Sequence, residues 1–146
     1  MDEFTIVTVI SRPVEDVFAV LVDVERTPLW MPGLSEACIT SDGPLEMGSA
    51  LSYRGTFLGR HYESRAVCTG LTENKHFATK MTNGPFYLET DAVLEPVAEG
   101  TRVTTTCRGE SRGFFKLAEP LVVRLSKKLW ETAAENLRAL MEDRAL

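Results

Sequence analysis

Tyr53, Tyr62, Ser64, Thr79, Thr90 and Thr105 are the residues of this chain best placed to act on a bound molecule. Each carries a hydroxyl within a stretch of alternating apolar and polar residues, and each falls on the apolar side of that alternation. Hydroxyls so placed can orient one or two oxygens of a ligand. Proton transfer needs a titrating group within reach, and no Asp, Glu or Lys falls on the same side of the predicted strands. His61 and His76 are the only histidines. By parity His61 faces away, although it adjoins Gly59, where a bulge could turn it inward. His76 opens a strand and belongs at the rim, and a rim or surface role suits both. Cys38, Cys68 and Cys107 are widely spaced and odd in number, which is neither a disulfide framework nor a metal-ligand pattern. They read as small core or wall residues, with no metal, cofactor or disulfide expected. There is no Gly-rich phosphate loop and no nucleophile elbow. Ser11 and Ser35 read as a helix cap and a turn residue.

The elements that must position these hydroxyls fit in one domain, 1–146. The formal charge is −5, which argues against nucleic acid and against electrostatic docking on anionic lipid. No apolar run approaches the roughly 20 residues of a membrane span. The opening MDEFTIV carries acids where a secretion signal carries positive charge. A soluble, cytoplasmic protein without stable membrane insertion is expected.

Residues 4–10 form a β-branched run that predicts a strand. Residues 13–23 repeat Val14, Val17, Phe18, Leu21 and Val22 at helical spacing, with Pro13 in the first turn. A second short helix follows in VERTPLWMPGL, broken by Pro28 and ended near Pro32–Gly33. Period-two alternation then predicts strands at 35–41, 49–58, 60–71, 76–82, 86–96 and 101–109. Turn residues such as Gly59, Asn83-Gly84-Pro85 and Glu99-Gly100 separate them. Connections this short force antiparallel pairing. From 114 to 143 the apolar stripe Leu117, Leu121, Leu125, Leu129, Ala133, Leu137, Leu140 and Met141 predicts one long helix. Pro120 either kinks that helix or marks its first turn.

The fold class is therefore α+β: a seven-stranded antiparallel sheet wrapped around a long C-terminal helix, with two short helices after the first strand. On the sheet's inward face Tyr53, Phe57, Tyr62, Met81 and Phe86 mix with the small or hydroxylated Gly55, Ser64, Ala66, Thr79, Thr90, Ala92 and Thr105. That mixture describes a core whose large side chains fill opposite small ones, the reading the pattern alone favours, and also a ligand pocket. Trp30 and Met31 are either a plug against the sheet or a lid at a cavity mouth. Trp130 is either core or cavity floor.

Three stretches carry a resemblance. SRPVEDVFAVLVDVERTPLWMPGL, PLEMGSALSYRG and LEPVAEGTRVTTT, completed by the terminal NLRALMEDR, resemble the START-like superfamily with its helix-grip fold. Within it they look like the bacterial polyketide cyclase/dehydrase group. The resemblance covers nearly the whole chain. It implies a deep cavity between sheet and long helix and does not imply one reaction, because members include aromatase/cyclases, lipid and hormone carriers, quinone-binding proteins and chaperone-type domains. The resulting expectation is a binder of a small apolar molecule such as a lipid, polyketide or quinone. Its walls are Trp30, Met31, Tyr53, Phe57, Tyr62, Ser64, Met81, Phe86, Thr105 and Trp130. The alternatives are an aromatase/cyclase-type enzyme and an interaction domain whose grip is filled by side chains. The oligomeric state stays open, a homodimer included.

Overall fold

The alternating stretches pair into one antiparallel sheet in a computed structural model that describes residues 2–146. Its strands are β1 (Asp2–Ile10), β2 (Leu34–Ile39), β3 (Ala50–Phe57), β4 (Arg60–Thr72), β5 (His76–Asn83), β6 (Phe86–Val97) and β7 (Gly100–Ser111). They lie in the order β1-β7-β6-β5-β4-β3-β2. Six consecutive strands form a meander, and β1 closes onto the last of them, with Ile10 opposite Thr101 and Asp2 opposite Gly109. Register shifts interrupt β2 between Leu34 and Glu36 and β4 at Arg65/Ala66 and Cys68/Gly70. Bulges of this kind bend a strand and increase local twist, so the sheet can curl around the element that covers it.

That element is α2 (Glu119–Glu142), preceded by a 3-10 segment Gly113–Ala118. The helix therefore starts later than 114, and Pro120 sits in its first turn, where a missing N–H costs nothing. The late start also corrects the apolar stripe. Leu117 is 89% exposed and Leu121 43% exposed, whereas Val122, Ala133, Leu137 and Met141 are buried. The 3-10 turn has a different period, which breaks the phase that a continuous helix would have kept.

Helix α1 (Val14–Leu21) buries Val17, Phe18 and Leu21. Pro13, extended at φ −60° and ψ 150°, precedes it without a side-chain cap, so Ser11 is not the cap. The Ser11 N–H instead donates to Glu142 Oε2 at 3.0 Å. Ser35 is not a turn residue either: it lies within β2 and its hydroxyl donates to the Arg54 carbonyl at 3.1 Å. The next segment is a 3-10 helix, Val24–Leu29, with Pro28 inside it. Trp30 and Met31 thus lie just past its end rather than within it.

Two contacts fix the short helices over the sheet and α2. Arg12 Nη1 donates to the carbonyls of Met141 at 2.8 Å and Leu146 at 3.1 Å, while Nη2 holds Asp16 at 3.1 Å. At the other end the Thr56 N–H donates to the Gly33 carbonyl at 2.8 Å. Gly33 has φ +80°, and a Cβ on Gly55 would lie 2.4 Å from the Gly33 oxygen. The turn after Trp30 can close onto β3 only with glycine at both positions.

Candidate functional site

Most of the buried apolar residues fall into two clusters, and Phe77 packs against both. One gathers Ile10, Val17, Phe18, Leu21, Trp30, Leu94, Val103, Ala133, Leu137 and Met141, and the other Val24, Ala37, Leu51 and Ala66. Sheet and helix do not close completely between them. A cavity of about 240 Å³ remains, walled by much of the first cluster, by Val24 of the second and by the inward faces of β1, β3, β4, β5, β6 and β7. This is slightly below the range of about 300–1,000 Å³ usual for ligand pockets. Along α2 the wall runs from Glu119 through Val122, Ser126, Trp130 and Ala133 to Leu137. That is roughly 27 Å at 1.5 Å per residue, so the cavity is long and narrow.

Tyr53, Phe57, Tyr62, Ser64, Met81, Phe86 and Thr105 all face this cavity from the sheet, and Trp30, Met31 and Trp130 face it from the opposite side. One end is aromatic. Phe86 packs on Phe115 with centroids 4.9 Å apart and edge-on to Phe57 at 5.6 Å and Tyr62 at 6.0 Å. The histidines stay outside. His61 Nδ1 lies 3.1 Å from Thr56 Oγ1 on an exposed hairpin, and His76 Nε2 lies 2.7 Å from Asp91 Oδ1 on the solvated face.

Among the wall hydroxyls, Thr79 and Thr90 satisfy each other at 2.6 Å. Among the described residues, three other side-chain polar atoms are buried without a hydrogen-bond partner: Trp30 Nε1, Ser64 Oγ and Glu119 Oε2. Leaving such groups unpaired costs about 1–3 kcal/mol each. They are one donor, one hydroxyl and one carboxylate oxygen, all on residues that line the cavity. Strand parity could not find Glu119, because it comes from the helix. A signal did exist, since Glu119 precedes Val122 and Ser126 by three and seven residues and so shares their face. Its Oε1 accepts the Ser111 N–H at 3.2 Å, and its side chain is 18% exposed. Oε2 lies 3.5 Å from Lys116 Nζ, a distance of charge attraction without hydrogen-bond alignment. The carboxylate is therefore held in place while Oε2 carries no hydrogen bond, only its ion pair with Lys116.

Trp30 Nε1 belongs to a different stretch of the cavity. The Trp30 carbonyl accepts Asn136 Nδ2 at 3.2 Å, and Asn136 lies about five turns along α2 from Glu119. The polar handles are thus spread along the cavity rather than clustered.

The wall also resists ionisation. Burial pushes the Cys107 thiol up to about 12. Burial likewise raises Tyr53, assisted by the nearby Cys68, and raises Tyr62 and Cys68. Cys107, and the others in the same sense, stays neutral in the fold where the unfolded chain would ionise. The native state then binds more protons, so stability falls as pH rises. For Cys107 alone the decline is about 1.4 kcal/mol per pH unit above its ordinary value. Urea midpoints should fall steadily from about pH 9 upward. A midpoint unchanged to about pH 11 would contradict burial of these groups.

The family model described as polyketide cyclase / dehydrase and lipid transport matches residues 1–142. The chain belongs to this polyketide cyclase/dehydrase and lipid transport family. No curated protein matches it. Solved structures share the fold of this family member. A START superfamily protein from Mycobacterium smegmatis is 18% identical, with 97% of each chain covered and a TM-score of 0.82. The Zhui aromatase/cyclase from Streptomyces sp. R1128 is 13% identical, with 99% of this chain and 94% of that one covered and a TM-score of 0.81. A Thermus thermophilus protein is 21% identical over 98% of this chain and 96% of that one, with a TM-score of 0.76. At such identities the likeness is one of fold, and function rests on the cavity.

Proposed function

We propose that this protein binds an elongated apolar molecule, with a hydrogen-bond-donating group such as a hydroxyl, phenol or amine set against Glu119. The observation that carries this reading is the set of buried, unpaired polar atoms on residues of a largely apolar cavity wall. A side chain packed only for stability would not leave a carboxylate oxygen, an indole N–H and a hydroxyl unmatched. Aromatic and methionine walls supply dispersion contacts along a polyene or fused-ring ligand. The polar atoms set its direction more than its affinity. Trp30, Met31, Tyr53, Phe57, Tyr62, Met81, Phe86, Thr105 and Trp130 are the proposed contact surface, with Ser64 and Glu119 as polar anchors.

Native mass spectrometry of freshly purified protein tests this directly. A co-purified apolar molecule of defined mass, released on unfolding, is the expected result. Protein that carries no such adduct and acquires none from a lipid and polyketide extract would refute the reading.

Glu119 also favours a second reading, an aromatase/cyclase-type enzyme. A fixed carboxylate with an open oxygen can take a proton from a carbon or hydroxyl of a folded polyketide and return it to a leaving oxygen. Conversion of the bound molecule on incubation, lost in Glu119→Gln, would mark the enzyme. Unchanged recovery of the molecule marks the carrier.

A further inference from the structure

Leu117 and Leu121 are misplaced for a protein that buries its apolar surface well. Leu117 is 89% exposed, and Leu121 follows on the solvent side of the first turn of α2. Beside them the helix exposes Arg124, Lys127 and Lys128, which make no ion pair among the described residues. Positions 121, 124 and 128 fall on one helical stripe. From 112 to 128 the chain holds five cations, Arg112, Lys116, Arg124, Lys127 and Lys128, against one acid, Glu119. The next acids along α2 are Glu131 and Glu135, and Glu135 is held by Arg138. The negative net charge hides this concentration, because fields at a wet surface are local, with a Debye length of about 10 Å at 0.1 M salt. Exclusion of anionic lipid on net charge alone therefore fails at this surface.

The location matters as much as the composition. The same segment buries Phe115, which packs on Phe57 at 5.7 Å and Phe86 at 4.9 Å at the aromatic end of the cavity. Leu58, 39% exposed, adjoins Phe57 at the tip of the β3–β4 hairpin. Leu117 and Leu121 thus follow closely on the residue that closes that end, and Arg124, Lys127 and Lys128 continue the same segment into α2.

We infer that this surface, Leu117 and Leu121 with Arg124, Lys127 and Lys128, docks on an anionic lipid bilayer. The leucines enter the headgroup boundary while the cations meet lipid phosphates. Docking is peripheral, since no helix among the described residues is long and apolar enough to cross a membrane. It goes beyond the binding reading and does not depend on which ligand the cavity takes.

Vesicle co-sedimentation tests it with the intact protein. Vesicles of phosphatidylglycerol and phosphatidylcholine should retain the protein at low salt and release it as salt rises, and phosphatidylcholine alone should not retain it. The combined Arg124→Gln, Lys127→Gln, Lys128→Gln variant should bind about a hundred-fold more weakly, at about five-fold per cation. Leu117→Glu should abolish retention, and both variants should unfold at the wild-type temperature because the altered side chains are exposed. Absence of binding, equal binding to neutral vesicles, or retention by the charge variant would overturn the inference. So would concentration-dependent dimerisation removed by Leu117→Glu, which would make a second copy the occupant.

Discussion

Trp30→Ala should lower the stability of the protein by about 3–5 kcal/mol, the usual cost of deleting a buried large aromatic. Two roles were open for Trp30, a plug in the core or a mobile lid over the cavity. Its exposure of 8% and its place among Ile10, Phe18, Leu21, Ala133 and Leu137 make it a plug. The Asn136 side chain fixes its backbone as well. The indole N–H is nonetheless buried without a hydrogen-bond partner in a residue that lines the cavity, so a donor role is separable from the plug. Trp30→Phe keeps most of the buried area and removes only that donor. It should cost far less stability and weaken a ligand that offers an acceptor there by about ten-fold, the value of one hydrogen bond of about 1.4 kcal/mol. Thermal unfolding and ligand titration of both variants separate the effects. A Trp30→Ala protein of undiminished melting temperature would return Trp30 to the lid role.

The second large effect concerns Glu119. For a ligand that donates to Oε2, Glu119→Ala should reduce affinity by roughly ten- to hundred-fold, since hydrogen bonds to charged groups contribute about 1.5–3 kcal/mol. Glu119→Gln retains a carbonyl oxygen in the same position and should recover part of that affinity. A matched ligand without its donor should bind wild type and Glu119→Ala equally. The Ser111 N–H, which now donates to Oε1, is the local structural cost of the alanine variant. Thermal unfolding measures that cost separately, and equal affinity of wild type and Glu119→Ala for a hydroxylated ligand would remove Glu119 from the site.

Much of this architecture was legible in the sequence because alternation has only two phases. Once Tyr53, Tyr62, Ser64 and Phe86 share the inward phase, a sheet with one covered face must bring them together. The helix was less legible, because its phase depends on where it begins. Leu117 and Leu121 extend the leucine pattern, yet Leu117 lies in the 3-10 turn at Gly113–Ala118, outside the phase of α2, and both are exposed. Glu119 was hidden by a plausible local role: an acid at a helix start favours the dipole, and only its phase with Val122 and Ser126 points it inward. Ser11 looked like a cap by type and position, but Pro13 takes the place before α1. The narrowness of the cavity could not be read at all, since it depends on how far β2 and β4 bend at their bulges.

Occupancy of the space between sheet and α2 by a ligand is directly measurable. Trp30 and Trp130 are the only tryptophans in the chain, and both line that space, so tryptophan excitation reports on it alone. The decisive measurement is energy transfer from these indoles to N-phenyl-1-naphthylamine, an apolar fluorophore with one N–H donor. Sensitised emission should rise and saturate at one probe per chain, and Thr105→Phe, which fills the wall opposite α2, should abolish it. Emission that never saturates, or that survives Thr105→Phe in a folded protein, would contradict occupancy of the cavity.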